Sequence, residues 1–163
     1  MIQHIPLEKI LFLDIETVPQ AGNWEELHET DQYLWDKKTK MQRKEDFTAE
    51  DFYSERGGIM AEFGKIICIS VGILEKSEKL MIKSFYGDDE KILLIEFGEI
   101  FNHPKLHDVI LCAHNGKEFD FPWIARRFLI NGMQPPKPFQ MFGKKPWEIP
   151  HLDTMELWKF GDY

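Results

Sequence analysis

The chain has 163 residues, 43% of them hydrophobic and 29% charged, with a net charge of −8. That length and balance fit one soluble domain with its own core and exclude a disordered chain, and no apolar run approaches the ~20 residues of a membrane span. Residues 1–110 carry 13 basic and 22 acidic side chains and residues 111–163 carry 7 and 6, so the acid excess is local; an acidic chain can still act on phosphates where divalent metals neutralise the meeting point.

The opening MIQHIPLEKI lacks the basic stretch and long apolar core of a secretory leader. ILFLDIE, residues 10–16, predicts a buried strand that stops at Pro19. Residues 20–58 then turn polar and charged. Trp24, Leu27, Leu34 and Trp35 fall at roughly helical offsets, and Thr48, with Asp51 three residues on and Gly57-Gly58 as a stop, frames a second helix. Two helices are therefore expected between the first and second strands. An insertion of this length is more often functional or lid-like than inert, although the Trp24–Trp35 stripe reads as a packing face before a base-stacking platform.

KIICISVGIL and KLMIKSFYG, on either side of EKSE, predict a hairpin. DDEKILLIEFGEIFNHP predicts an amphipathic helix with acids in its first turn, a stripe of Leu93, Phe97, Ile100 and Phe101, and Pro104 beyond its end. DVILCAHN reads as another buried strand. FPWIARRFLINGM reads as a helix with Pro122 in its first turn and Gly132 at its C-terminus. PHLDTMELW suggests a short strand or extended segment leading into a further element. The order is a mixed α/β fold whose two apolar strands lie under helices. Cys68 and Cys112 sit inside apolar runs and read as buried thiols of a reducing, cytoplasmic compartment, with no spacing suited to zinc.

Asp14 and Glu16 are two apart on a strand, so both project from one face. Two adjacent carboxylates repel, and a hard divalent cation resolves the conflict by taking oxygen ligands from both. Two acids ending a strand in solvent is the plainer explanation of this pair alone. A third acid shifts the balance. In LCAHNGKEFDFPWIARR a strand ends near Asn115 and Asp120 precedes the turn that Pro122 opens. Alone, Asp120 is a carboxylate favoured at a helix N-terminus; beside Asp14 and Glu16 at neighbouring strand ends it makes a candidate metal site.

LFLDIETVP resembles the first motif, Asp-x-Glu, of the DEDD superfamily of 3′→5′ exonucleases, which have a ribonuclease H-like fold. AHNGKEFDFPWIARR resembles the second motif, with its Asn-x-x-x-Phe-Asp. AEFGKIICISVG and KPWEIPHLDTMELWKFGD are similar to the bacterial subgroup related to the proofreading domain of family-B DNA polymerases. The resemblance covers nearly the whole chain. It implies a ribonuclease H-like mixed sheet flanked by helices, and two Mg²⁺ or Mn²⁺ ions held by Asp14, Glu16 and Asp120, with Asp14 bridging. It also implies hydrolysis of nucleic acid, single-stranded DNA 3′ ends above all, to 5′-mononucleotides by in-line attack of water. Ile15 and Thr17 would touch the terminal nucleotide, and Asn115 the strand's backbone or sugar.

The resemblance is incomplete. The superfamily takes a fourth acid from a late Tyr-x-x-x-Asp or His-x-x-x-x-Asp motif. Here Tyr163 is the last residue, His151 leads to Glu156, and Trp158 precedes Asp162. Asp153 reads as a residue that lines the cleft or caps the next helix. Residues 1–163 are then expected to form a single exonuclease-like domain that lacks its C-terminal part and is a weak or inactive nuclease by itself. Lys117, Arg126, Arg127, Lys137, Lys144 and Lys145, with Phe142 and Trp147, could form a basic, aromatic rim; solvated surface charge and a core tryptophan explain them equally well. Two other readings remain. LFLDIETV superficially resembles the Asp-x-Asp of haloacid-dehalogenase phosphatases, but Glu16 replaces the second Asp. A ribonuclease H-like module that binds nucleic acid or protein without cutting is the non-catalytic alternative.

Overall fold

The computed structural model describes residues 5–75 and 79–162. The first four residues, the tip of the expected hairpin at 76–78 and Tyr163 lie outside the described residues. Among the described residues five strands form one sheet: β1 (Ile10–Pro19), β2 (Gly64–Leu74), β3 (Leu80–Tyr86), β4 (Ile110–Ala113) and β5 (Leu152–Asp153). The α-helices of the described residues are α1 (Glu29–Thr39), α2 (Ala49–Arg56), α3 (Glu90–Glu99), α4 (Asp120–Ile130) and α5 (Thr154–Lys159). The strand order is β3-β2-β1-β4-β5. β2 and β3 pair antiparallel from Cys68↔Tyr86 to Leu74↔Leu80, whereas β1 with β4 and β4 with β5 are parallel. Parallel neighbours need a crossover, and α4 supplies the one between β4 and β5. The mixed α/β sheet and the two inserted helices match the sequence reading. Among the described residues no helix is long and apolar enough to cross a membrane.

The chain divides into two compact units, residues 1–16 with 67–163, and residues 17–66. In the first, Leu11, Leu13 and Ile15 of β1 are buried together with Ile69 and Val71 of β2, Phe85 of β3 and Leu111 of β4. Phe97 of α3 is the hub of the aromatic packing: its ring meets Phe85, Phe101, Phe128 and Phe139 at centroid distances of 5.7, 5.3, 6.4 and 5.8 Å. β1 departs from expectation. Only its Leu11/Leu13/Ile15 face is fully buried, while Phe12 is 39% exposed and Asp14 and Glu16 are exposed beside it. A continuous apolar run cannot distinguish a strand covered on both faces from one whose outer face carries a single aromatic and two acids.

Burying α3 against α4 also buries charge. Arg127 of α4 donates from Nε to both carboxylate oxygens of Glu90, at 2.9 and 3.1 Å, and Nη2 forms an ion pair with Oε2. Asn131 Nδ2 donates to Glu90 Oε2 at 2.9 Å. Arg127 is therefore a packed ion-pair partner, not part of an exposed basic rim. α4 closes with a Schellman pattern: the Met133 N–H donates to Phe128 O and the Gly132 N–H to Leu129 O.

The second unit has its own core of Leu27, Trp35, Tyr53 and Phe63, with Trp24, Phe52 and Met60 packed against it. Trp35 is fully buried, and its indole Nε1 donates to Ala49 O at 2.9 Å. Of the Trp24–Trp35 stripe, Trp24, Leu27 and Trp35 thus pack into this core, while Leu34 is exposed. α2 opens on the expected capping box, in which Thr48 and Asp51 satisfy each other's backbone N–H groups.

Breaking one partner of the Glu90–Arg127 pair leaves a buried charge without compensation, which costs about 3–5 kcal/mol, whereas replacing both by apolar groups of similar volume is often neutral. Arg127→Ala should therefore lower the urea midpoint substantially. The double variant Glu90→Leu, Arg127→Met should recover most of the loss. Equal midpoints for the single and double variants would show that the pair is not an energetic unit.

Candidate active site

The candidate site lies where β1, the β4–α4 loop and β5 meet within the first unit. Asp14 and Glu16 stand exposed on the same side of β1. Asp120 is the first residue of α4 and is 4% exposed. Its carboxyl is pushed up from 3.8 to about 6, first by burial and then by the negative charges of Asp14 and Asp153. Hydrogen bonding from its own backbone N–H and from that of Ile15 pulls the other way. The Asp120 carboxyl thus reaches β1, where it accepts the Ile15 N–H and feels the charge of Asp14. Among the described residues, however, no group of three or more His, Cys, Asp or Glu side chains is placed to hold a metal ion. The donor chemistry, hard carboxylate oxygens with Asp14 and Asp120 in mutual repulsion, fits a divalent cation.

Asp120 takes its place from the loop before it. β4 ends at Ala113, and Asn115 adopts a left-handed backbone with φ 59°, a conformation that Asn tolerates better than most residues. Gly116 follows in close quarters: a Cβ there would lie 2.4 Å from the Ala113 Cβ and 2.9 Å from the Phe121 ring. The Asn115 carbonyl accepts the N–H groups of Glu118 and Phe119, and the Gly116 carbonyl accepts that of Phe121. The loop winds directly into α4.

A buried carboxylate holds this loop from the other side. Asp153 Oδ1 accepts the N–H groups of Asn115 and Met155, both at 2.9 Å, and Oδ2 accepts that of Lys117 at 3.1 Å. Asp153 caps α5, as one of its two expected roles proposed, and in the same stroke ties β5 to the β4–α4 loop. The loop-clamping part of this role is not visible in sequence, because it joins residues 36 and 38 positions apart.

The remaining sequence candidates have structural partners. His151 is buried between β4 and the Lys137–Phe139 turn: its Nδ1 accepts the Leu111 N–H at 3.2 Å and its Nε2 lies 2.7 Å from Pro138 O, so Nε2 carries the proton. Burial holds its pKa below the ordinary value. Glu156, which stands at the spacing of a fourth acid after His151, is paired with Lys117 at 2.6 Å. The Thr17 hydroxyl donates to Gly58 O at 2.6 Å within the second unit. Asn115 uses its backbone for the clamp and the helix start.

These features can be set against known proteins. No curated protein matches the sequence significantly. Among solved structures, the chain is similar to E. coli Exonuclease I in complex with a dT13 oligonucleotide, with a TM-score of 0.52 and 12% identity over 93% of this chain and 29% of that one. A likeness to the family B DNA polymerase from the hyperthermophilic archaeon Pyrobaculum calidifontis has a TM-score of 0.42 and 14% identity over 76% of this chain and 11% of that one. The chain thus spans under a third of the length of either protein. The first likeness bears on the fold; the second is too weak to carry an argument. The model of the RNase_H superfamily matches residues 51–160, a stretch that includes Asp120 and Asp153 and begins after Asp14 and Glu16. With two thirds of its length matched and a mixed five-stranded sheet of the same kind, the chain belongs to the RNase_H superfamily.

Proposed function

We propose that the chain is a 3′→5′ exonuclease domain of the DEDD type, acting on nucleic acid ends, with single-stranded DNA as the preferred substrate. The observation that carries this reading is the buried Asp120 carboxyl at the start of α4, facing the charge of Asp14. An acid kept at that position against desolvation and repulsion has a use if a cation joins the two. Asp14, Glu16 and Asp120 would hold Mg²⁺ or Mn²⁺, which supplies neutralising charge at a phosphate and acidifies water. The E. coli structure to which the chain is similar holds an oligonucleotide, which supports nucleic acid as the partner class.

The protein's own groups would do the following. Asp120 would have to be ionised to hold a cation, since metal ligands must be deprotonated, and a value of about 6 allows that at neutral pH. Asp153 keeps the Asn115–Lys117 backbone fixed, so that α4 presents Asp120 without rearrangement. Ile15 and Asn115 would lie alongside a strand end. Thr17 reaches one only by giving up its bond to Gly58 O.

A second reading, a module that grips nucleic acid without cutting it, is favoured by one observation: the described acids do not form a three-membered metal group. His151, Asp153 and Glu156, the described candidates for a further acid or water-orienting group, are held by other partners, and a site short of such a group turns over about 10²–10⁴-fold more slowly. Slow turnover is therefore expected.

Incubation with Mn²⁺ and 3′-labelled single-stranded DNA should release 5′-mononucleotides slowly, falling to background in Asp14→Ala and Glu16→Ala. Release that persists in both variants would contradict the assignment, and tight oligonucleotide binding with no release at all would favour the non-cutting module.

The Asp120 shift has a thermodynamic consequence of defined sign. Between its ordinary 3.8 and about 6 the folded protein holds a proton that the unfolded chain has released. Stability from this group is therefore greatest at acid pH and declines as pH rises through that window, by about 2–3 kcal/mol at most. Metal-free urea titrations from pH 4 to 7 should show Asp120→Asn gaining on the parent protein as pH rises. Parallel curves for the two proteins would exclude a raised Asp120 pKa.

A further inference from the structure

Residues 121–147 contain no acidic side chain, in a chain that has 28 of them, yet they carry Arg126, Arg127, Lys137, Lys144 and Lys145. Two of these cations are already used: Arg127 by Glu90, and Lys137 by Asp108 at 2.6 Å. Arg126, Lys144 and Lys145 are exposed and take part in no ion pair among the described residues. Glu148, the next acid along the chain, accepts the Lys145 backbone N–H at 2.8 Å.

Aromatic rings are interleaved with these cations and turned outward. Phe142 is fully exposed and Trp147 is 77% exposed. Each is held out by a short turn. The Lys144 N–H closes onto Met141 O, with Gly143 at φ +73°, a conformation that glycine adopts without strain. Trp147 sits in a 3₁₀ turn, Pro146–Glu148, and Lys145 Nζ lies 5.2 Å from its ring centroid. Phe142 forms one wall of a groove of about 550 Å³, whose opposite side is the outer face of α4, with Arg126 and Leu129. Both rings could have been buried at a gain of a few kcal/mol each. A structure that instead displays them among unpaired cations matches the pattern by which single strands are held, with bases stacked on rings and phosphates near Lys and Arg.

We propose that Phe142, Lys144, Lys145 and Trp147 of the α4–β5 connection, with Arg126 of α4 across the groove that Phe142 lines, form a sequence-tolerant binding path for single-stranded nucleic acid, separate from the Asp14–Asp120 pair. The path deepens the exonuclease reading by supplying the hold on the strand that a net charge of −8 would otherwise oppose.

The test is fluorescence anisotropy with labelled dT20 and rU20 in EDTA, so that binding is read without cleavage. Phe142→Ala and Trp147→Ala should each weaken binding about fivefold or more, and the double variant more than either. Lys144→Ala, Lys145→Ala together should flatten the slope of log K against log salt by about 1.4. Circular dichroism melts check that the variants fold. The better-held of the two oligonucleotides identifies the strand. No binding by the parent protein, folded variants within twofold of it, or a concentration-dependent dimer that Phe142→Ala abolishes would each overturn the path. If the variants lose binding while the parent protein cuts nothing, the path stands and the nuclease reading falls; if Mn²⁺-dependent cutting persists with binding unchanged in the variants, the path alone falls.

Discussion

One buried carboxylate organises the functional end of the first unit. Asp153 is 2% exposed, and it spends both oxygens on backbone N–H groups from the β4–α4 loop and from the first turn of α5. Hydrogen bonds to a charged group contribute about 1.5–3 kcal/mol each, so three of them outweigh the strain of a left-handed Asn115. Everything that makes the site follows from that restraint. The loop must turn sharply, Gly116 must lack a side chain to let Ala113 and Phe121 close upon it, and α4 must begin at Asp120. Loss of the Asp153 carboxylate would free the very loop that aims Asp120.

Asp120 and Asp14 then meet under opposing pressures. Burial and repulsion favour a protonated Asp120, and backbone N–H donors favour the ionised form. The balance places its titration at about 6, within reach of neutral pH, so that a modest input of positive charge tips it. At neutral pH such an acid is already largely ionised, and a cation between the two carboxylates would favour the ionised form further. The exposed face of β1 adds Glu16 beside Asp14, while Phe12 on the same face shows that this side of the sheet is not closed off like the other. Away from that pair, residues 121–147 lack acidic side chains in an otherwise acidic chain, which is the charge pattern that the proposed strand path draws on.

Much of this was legible in the residues. Periodicity located the hairpin strands, α3 and α4, because an apolar stripe such as Leu93/Phe97/Phe101 has a single cheap arrangement. The Thr48–Asp51 spacing announced α2 through capping chemistry that depends only on local backbone. The shared face of Asp14 and Glu16 is readable for the same reason, because strand geometry alone sets it. What escaped depends on contacts between distant residues. Arg127 looked like any surface arginine because its partner, Glu90, lies 37 positions away. His151 resembled a candidate for orienting water, and only the folded chain shows both of its ring nitrogens engaged with Leu111 and Pro138. The open face of β1 escaped too, because an apolar run records what can be buried, not which elements arrive to bury it.

The account rests on Asp14 and Asp120 sharing a cation, and crystals soaked in Mn²⁺ test that most directly through anomalous scattering. The predicted result is a peak in contact with oxygens of both carboxylates. A soaked crystal with no peak at that pair, or with manganese bound only elsewhere on the surface, would contradict it.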